Sequence, residues 1–158
     1  MIRFQININD IKAEDNSLFY KFCNNKLNEF KTKLAKNVNM TKFNLRYNYL
    51  VDNHILEFNS IILVNPIAIV NNLIQSFTLY KSINANGNMC ISFNIPDSKY
   101  ILNSNMTLEY FIRFIEYGNE EIPPYKWISH TWKDLMTNIV DEWTRFKKLS
   151  KKLEGIKV

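Results

Sequence analysis

The sequence predicts a single α+β domain, and three patterns carry that prediction. Ile2, Phe4, Ile6 and Ile8 alternate with polar residues, which is the period of a half-buried strand. Phe19, Phe22, Cys23, Leu27, Phe30 and Leu34 recur at spacings of three and four, the apolar stripe of a long helix. A block of alternating segments and short helices follows, and an aromatic-rich helical stripe closes the chain. The architecture expected is an N-terminal strand and long helix packed on a central, mostly antiparallel β-sheet, with a long C-terminal helix. It occupies residues 1–158 as one domain, with about 150–158 forming a basic, partly flexible tail.

Each element has its own justification. The first strand covers residues 2–8 and stops at Asp10. The long helix runs from about Asn16 to about Asn37 with Asp15 or Asn16 as N-cap, and Lys21, Lys26, Glu29, Lys31 and Lys33 form its wet side. Phe43, Leu45, Tyr47, Tyr49 and Val51 alternate with polar residues and predict a strand. Asp52-Asn53 reads as a turn, and His54 to Val64 as a second strand that becomes wholly apolar. Asn65-Pro66 is an N-cap followed by proline at the first helical position, opening a helix over 66–77. Asn86-Gly87 inside an asparagine-rich loop is a hairpin signal, with a strand from Met89 to Ile95 after it. Thr107 opens a helix carrying Leu108, Phe111, Ile112 and Ile115 on one face, and Gly118 stands where a left-handed residue ends it. One last helix spans about Trp127 to Leu153, with Ile128, Trp132, Leu135, Ile139, Trp143, Phe146 and Leu149 as its stripe.

With 158 residues, 46% of them hydrophobic, the chain can bury a substantial core. The apolar run at residues 60–64 is far too short to cross a bilayer, and the first residues lack the apolar stretch of a secretory signal. Synthesis in a cytoplasm is expected. Cys23 and Cys90, far apart and without a CxxC, read as two buried thiols. Of the net charge of +5, much is local to Lys147, Lys148, Lys151, Lys152 and Lys157. Lysines there complement a helix dipole and keep the surface wet; a nucleic-acid footprint is the alternative.

Most reaction machinery is excluded by composition. A chain with 3 Gly has no room for a phosphate-cradling loop or a GxGxxG, and no HExxH or Cys/His cluster occurs. His54 and His130 accompany no recognisable nucleophile, and the adjacent carboxylates Glu120-Glu121 and Asp141-Glu142 read as solvated. Neither catalysis, cofactor nor metal is expected. Tyr20, Tyr80, Tyr100, Tyr125 and Trp127 are the candidates for exposed stacking platforms, since Phe19, Phe22, Phe30, Phe43, Phe111, Trp132 and Trp143 fall on apolar faces.

The segment from Phe114 to Trp127 concentrates one of the 3 Gly and two of the 4 Pro. Gly118 stops a helix, Asn119-Glu120-Glu121 makes a polar loop, and Pro123-Pro124 stiffens the approach to Tyr125 and Trp127. Stiff backbone beside bulky aromatics suits a segment that packs in one fixed way, against the domain's own core or a neighbouring subunit.

The run Ile115-Glu116-Tyr117-Gly118-Asn119, then Pro123-Pro124, then Tyr125 to Ile128 entering a helix, resembles a motif of tailed-bacteriophage neck, head–tail joining and tail-completion proteins. In that family it follows an opening strand, a long helix and a central β block. Asn119 stands where threonine is usual, and Pro-Pro-Tyr-Lys-Trp replaces the family's Arg-Pro-Phe. The resemblance implies a non-catalytic virion structural protein at the head–tail junction or upper tail, made in the host cytoplasm and assembled as a ring. Its implied partners are copies of itself, other neck, portal-adjacent or tail-tube proteins, and DNA passing through the ring; no membrane is implied. Glu116, Tyr117, Gly118, Pro123, Pro124, Tyr125 and Trp127 would shape the interface region, with the basic tail Lys147, Lys148, Lys151 and Lys152 beside it. The reading outside that resemblance is a small basic nucleic-acid-binding protein using its lysine-rich C-terminal helix.

Overall fold

The computed structural model describes residues 2–9, 11–59 and 64–156. Strand β1 (Ile2–Gln5) leads through a 3-10 turn (Ala13–Asp15) into helix α1 (Asn16–Asn37). Helices α2 (Met40–Asp52) and α3 (Pro66–Gln75) follow, then strands β2 (Thr78–Ile83) and β3 (Met89–Ile95). Helices α4 (Leu108–Tyr117), α5 (Trp127–Met136) and α6 (Ile139–Ile156) complete the α+β chain.

The sheet is smaller than the sequence suggests. It has three strands in the order β1-β3-β2, both pairings antiparallel, with Ile2 opposite Ile95 and Ile83 opposite Met89. β1 ends at Gln5, short of the expected Ile8, although the Ile6 N–H still reaches the Ile91 carbonyl at 2.9 Å. The Asn84–Asn88 loop closes the hairpin: Asn84 Oδ1 accepts from the N–H groups of Asn86 and Asn88, and Gly87 takes φ 80°.

The expected strand over Phe43–Val51 is helix α2. Its buried residues are Phe43, Arg46, Tyr47 and Leu50, a helical face, while Leu45 is exposed. Asn39 caps it by accepting from the Lys42 N–H. At its other end His54 takes φ 58°, donating its N–H to Val51 O, and Ile55 donates to Leu50 O. That pair of bonds is a Schellman closure with histidine in the left-handed position. The strand expected over 54–64 is correspondingly reduced to an isolated bridge of Phe58 with Ser104, and residues 60–63 lie outside the described residues. The single last helix is two, broken at residues 137–138, and α6 stays helical from residue 150 to Ile156.

Rings bind the layers together. Phe4 of β1, Phe30 of α1, Phe77, Phe93 of β3 and Trp132 of α5 form one cluster, with centroids 5.2–6.1 Å apart. Each well-buried ring of this kind contributes roughly 1.5–3 kcal/mol of transfer free energy. α6 lies antiparallel along the first half of α1, where Trp143 packs on Phe19 and Phe22 and Phe146 packs on Phe22. Lys26, expected on the wet side of α1, is buried there and its amine sits between Glu29 and Glu142. A buried ammonium persists only with such partners.

Candidate functional site

The corner between α4 and α5 is built around a close backbone approach. Gly118 takes φ 65°, and its N–H reaches Phe114 O at 2.7 Å. A Cβ there would collide with the carbonyl oxygens of Ile122 and Pro123. Asn119 closes the loop by donating its N–H to Ile122 O, while its Oδ1 accepts from the N–H groups of Glu121 and Ile122. Its amide nitrogen reaches the Tyr49 hydroxyl on α2.

Glu116 is 3% exposed, and both its oxygens are committed. Oε1 accepts from the Ile128 N–H at 2.6 Å, and Oε2 from the Ser129 hydroxyl at 2.7 Å and the Ser129 N–H at 3.3 Å. Lys126, the residue preceding α5, supplies no side-chain cap, so Glu116 does that work from the neighbouring helix. Burial pushes its pKa above the ordinary carboxylate value, against the pull of those three hydrogen bonds.

Pro123, Pro124, Tyr125 and Trp127 tie the corner to α1 and α2. The Tyr125 N–H reaches Ile115 O, and its hydroxyl accepts from the Asn39 N–H at 2.7 Å. Arg46 donates to Pro123 O at 2.6 Å and to Lys42 O at 2.7 Å, with its guanidinium 5.2 Å from the Tyr125 ring. Trp127 stacks on Tyr125 and donates its indole N–H to Leu34 O at 3.1 Å. At 3% exposure Trp127 is no stacking platform, and Tyr125 is half-buried; Tyr20, Tyr80 and Tyr100 do face solvent. Pro123 and Pro124 keep exposed rings. Tyr117 points outward, 62% exposed.

Sequence reasoning found the corner but not its anchors on α2. Arg46 falls in the segment that reads as strand, where it would alternate to the surface, and Asn39 lies just before that segment. Leu50, which interrupts the alternation, was the available signal for a helix.

The two buried charges of the corner, Glu116 and Arg46, are both committed to holding it together. Its carboxylate faces helix donors, and its guanidinium grips backbone carbonyls. Beside it lies an open hollow of about 620 Å³ bounded by Asn37, Tyr125, His130, Thr131, Lys133 and Asp134. No three metal-ligating side chains come together among the described residues, and no described helix is long and apolar enough to span a membrane. Set against known protein families, curated proteins and solved structures, the chain matches none.

The remaining sequence candidates are dispersed. Cys23 is buried in α1, where desolvation pushes its thiol far up, while Cys90 in β3 is half-buried. His54 closes α2 and His130 lies exposed on α5. On α6, Lys147 lies over the Trp143 ring and Lys151 pairs with Asp15 at 3.3 Å; Lys148 and Lys152 are exposed.

Proposed function

We propose that the chain is a virion structural protein of a tailed phage, a neck, connector or tail-completion subunit that assembles into a ring joining head and tail. The observation that carries this reading is the bare sheet: among the described residues, no strand pairs with the outer edge of β1 or β2. An unpaired edge is a template for another chain, and β2, the longer of the two, presents Tyr80 and Ile83 exposed beside it. Strand addition between copies would make this small sheet the central layer of the assembly. The corner supports the same reading, because it is a braced joint whose polar groups serve packing.

In this reading the partners are copies of the chain, portal-adjacent or tail-tube proteins, and DNA passing through the ring. The place of action is the virion, and no cofactor takes part. Negative-stain imaging of the purified protein, with mass measurement across concentration, tests it. Closed rings are the expected result. A protein that stays monomeric at high concentration and never enters assembled particles ends the proposal.

A second reading has one observation in its favour, the exposed Lys148, Lys151 and Lys152 on a single helix. It makes α6 a nucleic-acid-binding element, with affinity that falls steeply with salt. Absence of oligonucleotide binding at low ionic strength removes it.

A further inference from the structure

Helix α6 outruns the body of the protein. Lys151 sits opposite Asp15, just before α1 begins, so residues 152–156 extend beyond the helix that supports the rest of α6. On this end Leu149 and Leu153 are 62% and 58% exposed, one turn apart on one face. Arg145, Lys147, Lys148, Lys151 and Lys152 surround them, against two carboxylates, Glu154 and the Asp15 paired with Lys151. An apolar pair inside a cationic rim is poorly suited to solvent and unsuited to a like-charged copy of itself.

A complementary surface lies on the outer face of α4. Two adjacent hollows open there, of about 330 and 250 Å³, and Ile55 and Tyr110 line both. Tyr117 and Leu50 complete the first, Tyr100 and Met106 the second. The exposed Tyr100, Tyr110 and Tyr117 make this an aromatic patch. Among the charges here, Arg113 lines the first hollow and is paired with Glu109, Glu57 adjoins Asn105 of the second hollow, and Glu120-Glu121 follow Asn119 of the first. With Glu109 and Arg113 paired to each other, Glu57, Glu120 and Glu121 leave an acidic excess over Lys99 along these segments.

We infer that the distal end of α6 docks into the α4 face of a second copy, with Leu149 and Leu153 filling the two hollows and the lysines meeting that acidic excess. Two leucines one turn apart match two hollows that share a wall. The complementary charges steer the approach and fix the orientation. A copy cannot satisfy its own groove. The α6 end lies at the start of α1, and the α4 corner is tied through Tyr125 to Asn39 beyond the end of α1. That separation is about 33 Å for a helix of 22 residues. The contact is therefore head-to-tail, the kind that closes into rings or runs on as filaments. This inference rests on the ring reading above and names one of its interfaces.

Two variants test it by complementation, L149E/L153E to spoil the helix end and Y110R to spoil the groove. All these side chains are exposed, and circular dichroism with thermal melting verifies that both variants fold. Each alone is expected to lose self-association by at least about tenfold. An equimolar mixture is expected to give heterodimers and nothing larger, because one intact helix end and one intact groove remain between them. The charge swap K148E/K152E with E120K/E121K is expected to restore association that either half alone weakens.

Rings formed by L149E/L153E at wild-type concentrations overturn this inference and leave the ring reading standing. A wild-type protein that is monomeric throughout overturns both. If K148E/K152E instead abolishes binding of a 30-nucleotide single-stranded DNA while self-association is unchanged, the occupant is nucleic acid and the inference falls.

Discussion

Gly87 and Gly118 both take positive φ, yet they answer to different demands. Nothing lies within 4 Å of a Cβ built on Gly87, whereas one on Gly118 meets the Ile122 and Pro123 backbone. Gly87→Asn should therefore be nearly neutral and Gly87→Ala should cost about 1 kcal/mol, the ordinary penalty for that conformation. Gly118→Ala should cost about 2–4 kcal/mol, because backbone must move as well. Urea titrations of the three variants check this, and equal costs for the two alanines would show that the corner yields. Glu116 makes a different prediction. Its pKa in the folded chain is raised above 4.5 by burial, so the folded protein keeps a proton that the unfolded chain has lost. Its contribution to stability is full below about 4.5 and is lost as pH rises through the raised value. Measured from about pH 4 to about pH 7, the stability of wild type relative to E116Q should fall. A relative gain would mean that the three donors outweigh desolvation.

Helix α6 is held chiefly by Trp143, which is buried against Phe19, Phe22 and Phe146. Trp143→Ala should cost about 3–5 kcal/mol and speed hydrogen exchange in α6 before the sheet responds. Uniform exchange across the chain would argue against that local hold. The elements differ in how plainly the sequence announces them. α1 and α4 were legible because each has one apolar stripe of a single period and a recognisable end. The Met40–Asp52 helix was not, because Phe43 and Tyr47 satisfy both a period of two and a helical face. Leu50 is the apolar residue that separates the two, being buried where a strand would turn it outward. The stripe holds from Ile128 to Phe146 but not to Leu149, which is 62% exposed, and not in continuity, since no Pro or Gly marks the break at Thr137-Asn138. At the corner, Gly118 and the prolines were visible from local chemistry alone. Glu116 as a cap for α5 was not, since its partners lie 12 and 13 residues onward.

The whole chain is organised by contacts that cross it at long range. Phe4 meets Trp132, Leu34 receives the indole of Trp127, and Lys26 meets Glu142. Such a domain opens chiefly as one unit, with its ends depending on one another. The fold class follows from the periods of its segments, while the small size of the sheet depends on which of two ambiguous segments became helix. One feature of the core offers a means to watch that opening. Cys23 is sealed within α1 and Cys90 sits half-open on the sheet, so the protein carries its own pair of chemical reporters. A thiol-specific dye should modify Cys90 promptly and Cys23 only at the pace of global opening. In Cys90→Ser, labelling then becomes a direct clock for how often the entire domain comes apart.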